Sequence, residues 1–212
     1  ERVMTEHGQR LATYNLGDGP LGLRSLREFI GGALAVRADM PTDPDNILLV
    51  SGSLQALDLV NETLLRSGDI VIMEESTYGG VISRFQHLDV DIIGIRVGAA
   101  GMDLAHLEEQ LEALKAQGKR ARYIYTIPTI HNPTGTIMPT ENRQRLLALA
   151  SRYNVPIFED DCYADLIFDE ARPPTIRSLD DSGRVIYCGS FSKTVAPALR
   201  VGYLIADWPF LS

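Results

Sequence analysis

The strongest constraint on this chain is an alternation. Short apolar runs, each the length of a strand, take turns with longer stretches of helical periodicity. Ile70 to Met73, Asp91 to Val97, Ala121 to Ile127, Val155 to Asp160 and Arg184 to Ser190 are β-branched or aromatic and flanked by Gly, Pro or Asp, so they read as buried strands. Asn46 to Val50 is poorer in β-branched residues and reads either as a strand or as the lead into the next helix. Between them, Leu54, Leu57, Leu59, Val60, Leu64 and Leu65 make one helical stripe, and Leu104, Leu107, Leu111 and Leu114 another behind Asp103, a natural N-cap. Leu146, Leu147, Leu149 and Ala150 follow Thr140, with Glu141 well placed in a first turn, and Leu26, Phe29, Ile30 and Leu34 mark an earlier helix. Strand–helix–strand alternation predicts an α/β fold, a three-layer α/β/α arrangement around a mostly parallel sheet. One connection departs from this. Only the eleven residues Ser190 to Arg200 precede the run VGYLIA. That is short for a parallel crossover, so VGYLIA is expected to run antiparallel to its predecessor or to pair elsewhere. Strand order does not follow from the pattern, and no internal repeat is visible.

Composition narrows the class. Of 212 residues, 45% are hydrophobic and 23% charged, ordinary for a globular protein and unlike a disordered one. A formal charge of −8 argues against a nucleic-acid partner held by phosphate attraction. No apolar run approaches the roughly 20 residues that span a bilayer. Two cysteines, Cys162 and Cys188, are no disulfide framework, and a reducing, cytoplasmic setting is the default. His7, His87, His106 and His131 lack metal-ligand spacing and read as surface or loop residues. The pair Glu74–Glu75 reads as partly solvent-facing, and Gly17 to Gly22 as a turn. The chain starts without Met and stops at DWPFLS, as expected of a segment of a longer protein.

Four stretches carry chemistry. In GSFSKTVAPALRVGY, Gly189 to Tyr203, Lys193 follows a buried strand in a turn of small and hydroxyl residues. That places an amine at the carboxyl end of a sheet, where open α/β folds bind ligands, and suits it to Schiff-base chemistry. Ser190, Ser192 and Arg200 are the phosphate-binding types beside it. HNPTGTIMP, His131 to Pro139, is turn chemistry after a strand. FEDDCYADL, Phe158 to Leu166, puts Asp160 at a strand end with Tyr163 three residues on. A carboxylate of this kind suits a protonated pyridine nitrogen. SGSLQAL, Ser51 to Leu57, opens a helix with small residues, which is either a plain N-cap or an anion site.

In this order and spacing the stretches resemble the fold-type I pyridoxal-phosphate enzymes, and specifically the class I/II aminotransferases. The resemblance runs from YNLGDGPLGLRSLREFI through SGSLQALDL, ESTYGG, NPTG and EDDCY to SFSKTVAPALRVGY. It is nearest to the branch of aromatic and 2-aminoadipate aminotransferases, which also resembles the effector half of MocR-type regulators. It implies pyridoxal 5'-phosphate as cofactor, held by Lys193 as an internal aldimine, with Lys193 also the general base and acid. It implies that Asp160 pairs with the pyridinium nitrogen and that Asn132 and Tyr163 bond the ring's phenolic oxygen. Gly52, Ser53 and Leu54 would offer backbone N–H groups to the phosphate, joined by Ser190, Ser192 and Arg200. Tyr78 would stack on the ring, and Tyr14 would reach the phosphate of a neighbouring subunit in a homodimer. The substrates implied are an amino acid and a 2-oxo acid. Another enzyme on this scaffold, a lyase or decarboxylase, or a MocR-type effector domain would share the cofactor contacts.

Two departures stand out. Cys162 occupies a place where this branch often has Pro. Family members are also much longer, so residues 1–212 are expected to be the large, cofactor-binding domain without the C-terminal small domain and its substrate-gripping arginine. Turnover by this segment alone is expected to be poor.

Overall fold

The computed structural model describes residues 2, 5, 6, 8, 19–168 and 171–207. Helix α1 (Arg24–Arg37) is followed by β1 (Ile47–Val50), α2 (Ser53–Leu64), β2 (Ile70–Glu74), α3 (Gly79–His87) and β3 (Asp91–Ile95). Then come the short β4 (Val97–Gly98) and β5 (Gly101–Met102), α4 (Leu104–Ala116), β6 (Ala121–Thr126), α5 (Thr140–Tyr153), β7 (Ile157–Asp160), β8 (Val185–Ser190) and β9 (Gly202–Ile205). Seven strands form one sheet in the order β1-β9-β8-β7-β6-β2-β3. Only β9 runs against the rest, antiparallel to both β1 and β8. The short connection explains it. Phe191 N–H bonds the Val201 carbonyl at 3.0 Å, so the chain folds straight back beside the strand it left. The remaining pairs, β2–β3, β2–β6, β6–β7 and β7–β8, are parallel.

Period-2 alternation divides each strand between two cores. Ile70, Ile72, Ile124, Ile157 and Val185 pack with Leu107, Leu111, Leu146 and Leu149 of α4 and α5 on one face. Val71, Met73, Tyr123, Tyr125, Phe158, Ile186 and Cys188 pack with Ala56, Leu57, Val60 and Phe85 of α2 and α3 on the other. Helix α1 brings Ile30 and Leu34 to Ile47, Tyr187 and Ile205. This is the α/β/α sandwich that the alternation predicts, and Asn46 to Val50 resolves into a strand. Among the described residues no helix is long and apolar enough to cross a membrane.

Local chemistry accounts for the helix ends. The Asp103 carboxylate accepts from the Ala105 and His106 N–H groups and so caps α4. Helix α5 ends on Asn154 in the left-handed conformation. Two details differ from the sequence reading. The strand from Asp91 stops at Ile95, because Arg96 turns to bond His106 and Asp103, and Val97 joins a separate two-stranded ribbon. Phe29 is 62% exposed and lies off the buried stripe of α1, which is Arg27, Ile30, Gly31 and Leu34.

Candidate active site

The parallel strands deliver the chemistry-bearing residues to one edge of the sheet, their carboxyl ends. Asp160 is the last residue of β7 and Ser190 the last of β8. Asn132 lies on the loop after β6, and Tyr163 on the turn after β7. Lys193 and Ser192 lie on the loop between β8 and β9. Gly52 follows β1, with Ser53 and Leu54 opening α2, and Tyr78 stands between β2 and α3. Tyr14 lies outside the described residues.

Several of these residues are brought into contact. The Asn132 side-chain amide approaches the Tyr163 hydroxyl at 3.4 Å. The Lys193 ammonium stands 5.5 Å from the centre of the Tyr163 ring, within cation–π range. Lys193 itself is exposed. Arg200 reaches across to the start of α2, where its Nη2 donates to the Ser51 carbonyl at 2.8 Å. The two strand-end loops are thereby tied together.

Gly52 is required at that junction. Its φ is +87°, and a Cβ there would lie 2.2 Å from Arg200 Nη2. Gly52 is the N-cap of α2, and no side chain caps the helix. The first N–H groups of α2 and the guanidinium therefore share one corner, a combination suited to a phosphate. Ser190 Oγ accepts from the Ser192 N–H at 3.1 Å, which shapes the turn leading to Lys193. Tyr78 is 41% exposed, with its ring close above Gly80.

Asp160 is the electrostatic centre. Burial pushes its carboxyl up from the usual aspartate range, while the Cys162 thiol, the Tyr125 hydroxyl and the Cys162 backbone N–H pull it back down. The Tyr125 bond to Oδ2 is 2.7 Å long. Cys162 and Cys188 are both buried and free. Burial also lifts Glu74, which ends β2, to about 7. Its Oε1 accepts from the Thr126 hydroxyl at 2.5 Å and the Ile127 N–H at 3.2 Å, and its Oε2 meets no partner. Glu75 alone of that acidic pair faces solvent. His131 is buried rather than exposed, with Nδ1 2.8 Å from the Thr134 hydroxyl.

The sequence reading missed Tyr125 and Arg143. Tyr125 carried one usable signal, since a phenol in a buried strand needs a partner for its hydroxyl. Arg143 carried one too, since it stands three residues before Leu146 and seven before Ala150, on the buried stripe of α5, where a charged side chain needs partners. It is fully buried, and its guanidinium donates to the carbonyls of Pro128, Met138 and Pro174 and to the Thr129 hydroxyl. Those bonds brace the loop that presents Asn132.

A half-buried carboxylate, an amide–phenol pair, an amine and a corner suited to an anion together suit a phosphorylated pyridine aldehyde. Comparison with known proteins points the same way. The family model for aminotransferase class I and II matches residues 12–212. Aromatic-amino-acid aminotransferase 1 of Thermococcus litoralis is 36% identical over 212 residues, covering 100% of this chain and 50% of that protein. The HTH-type transcriptional regulator YisV of Bacillus subtilis is 36% identical over 196 residues, 91% of this chain and 38% of the regulator. A crystal structure of the Pyrococcus horikoshii kynurenine aminotransferase, in complex with PMP, superposes with a TM-score of 0.93 at 36% identity, covering 99% of this chain and 51% of that one. The chain thus spans about half the length of the enzymes it matches. It belongs to the class I and II aminotransferases, a pyridoxal-phosphate-dependent family.

Proposed function

We propose that residues 1–212 are the large, cofactor-binding domain of a pyridoxal-phosphate aminotransferase that moves an amino group from an amino acid to a 2-oxo acid. The observation that carries this reading is the meeting of Asp160, the Asn132–Tyr163 pair and Lys193 at the carboxyl ends of β6, β7 and β8. When bound, the cofactor supplies an electron sink for the carbanion that proton loss at the amino acid's α carbon creates.

The chain's own residues do the rest. Lys193 would hold the cofactor through Nζ and, once displaced by the substrate amine, would remove the proton from the donor's α carbon in one half-reaction and deliver one to the acceptor's α carbon in the other. Asp160 holds the proton on the pyridine nitrogen. Asn132 and Tyr163 hold the ring's phenolic oxygen, and Tyr78 covers a ring face. Arg200, the hydroxyls of Ser190 and Ser192, and the N–H groups of Gly52, Ser53 and Leu54 hold the phosphate. In a homodimer, Tyr14 of one subunit completes the phosphate site of the other. Phe29 and Val195, both exposed, line one cavity and support a covered surface there. Two buried free thiols fit a cytoplasmic, reducing setting.

The test uses the full-length protein. Given an amino acid and a 2-oxo acid, it should form the second amino acid at a rate that depends on both, and Lys193→Ala should abolish this. Decarboxylation or elimination instead of exchange would sink the reading. The likeness to YisV supports a second one, in which the same cofactor domain serves a transcriptional regulator. Cofactor-dependent binding to DNA, without exchange across a broad panel of donors, would favour that.

A further inference from the structure

Tyr125 is fully buried and has no place among the ligand contacts above. It stands on β6 opposite Phe158 of β7, and the two rings stack 5.7 Å apart at 22°. Asp160 lies two residues beyond Phe158 and so shares its face of the sheet. The hydroxyl of Tyr125 crosses that gap to Asp160 Oδ2 at 2.7 Å.

A carboxylate in such a place tends to take up a proton rather than stay charged. A protonated Asp160 would no longer hold a proton on a ring nitrogen. The residue therefore needs donors, and Tyr125 is a durable one. Burial raises its own ionisation well above that of free tyrosine, so it remains a donor at any working pH. The other titratable groups around Asp160 are Cys162, Cys188, Glu74 and Asp161. Of these, Glu74 and Asp161 oppose its negative charge, which leaves Tyr125 and Cys162 to favour it.

We propose that Tyr125 is a positioning residue: its hydroxyl pins Oδ2 of Asp160 and keeps that carboxylate ionised and oriented toward the pyridine nitrogen of bound pyridoxal phosphate. The inference rests on the cofactor reading above. The alternative is a purely structural hydroxyl that bonds the nearest acceptor.

The experiment loads the full-length protein with pyridoxal phosphate carrying ¹⁵N in the ring and follows the nitrogen signal against pH, alongside cofactor affinity. In the wild type the nitrogen should stay protonated through the neutral range. Tyr125→Phe retains the ring and its stacking while removing the donor. It should lower the midpoint of the nitrogen titration by about one pH unit and weaken cofactor binding about tenfold, the effect of losing one hydrogen bond to a charged group. The melting temperature of the cofactor-free form serves as the control for packing. An unchanged nitrogen signal and affinity in Tyr125→Phe, with both lost in Asp160→Asn, would overturn the proposal and leave the cofactor reading standing. No change in Asp160→Asn would overturn both. If Tyr125→Phe does not fold, a fluorinated tyrosine at position 125 donates more strongly and should move the midpoint up. No movement would then overturn the role.

Discussion

Gly52 shows how closely the corner between Arg200 and the start of α2 is built. With φ at +87° and Arg200 Nη2 2.2 Å from where a Cβ would stand, Gly52→Ala faces both backbone strain and a clash. We expect it to cost about 1–3 kcal/mol of stability and to weaken cofactor binding, read by urea unfolding and by cofactor titration. Arg143→Met should be costlier, about 3 kcal/mol or more, because it leaves buried carbonyls without donors and removes the brace under Asn132. Its loss of cofactor affinity should exceed that of a core truncation of equal stability cost. The placement of the motif residues was legible because it is local: a glycine before a helix, a lysine in a turn, an aspartate at a strand end. Tyr125 and Arg143 were not, since what they bond is fixed only by the fold: Asp160, 35 residues on from Tyr125, and a set of groups running from Pro128 to Pro174 around Arg143.

At the scale of elements, periodicity was a good guide wherever an apolar stripe was complete. Leu104, Leu107, Leu111 and Leu114 repeat on one side of α4 and are all buried. Leu107→Ala should therefore cost about 2–5 kcal/mol by denaturant unfolding. The cap of the same helix has a pH signature. Its two N–H donors hold the Asp103 carboxyl below the usual aspartate range. That contribution is present above the unfolded value and lost as the pH falls through the folded one. Asp103→Ala should flatten the acid limb of the unfolding curve and leave the neutral region lower throughout. Helix α3 escaped the sequence reading because it opens on Gly79–Gly80, poor helix formers, and buries only Val81 and Phe85. The glycine has a packing reason, since a Cβ at Gly80 would meet the Tyr78 ring at 2.7 Å.

At the scale of the whole molecule, the layering followed from alternation, and the reversed strand from an eleven-residue connection. Strand order did not, because it depends on which parallel neighbours meet in space, and no local residue records that. The sheet's site-bearing edge also sets a pH dependence. Burial lifts Glu74 from 4.5 to about 7, and burial together with Asp161 lifts Glu159. Across that window the folded chain holds a proton that the unfolded chain has released. Stability is therefore greatest below the unfolded value and falls as the pH rises through the folded one, by about 3 kcal/mol for Glu74. Urea unfolding at roughly pH 5 and pH 8 should show the drop, and Glu74→Gln should remove its share.

In the proposed function Lys193 faces a formed pyridoxal-phosphate site. The most direct measurement is to load the full-length protein with pyridoxal phosphate, reduce it with borohydride and map the modified lysine by mass spectrometry. Lys193 should be modified selectively, and the modification should be lost in Lys193→Ala. Modification spread over Lys115, Lys119 and lysines outside residues 1–212, with Lys193 no more reactive than the rest, would contradict that reading.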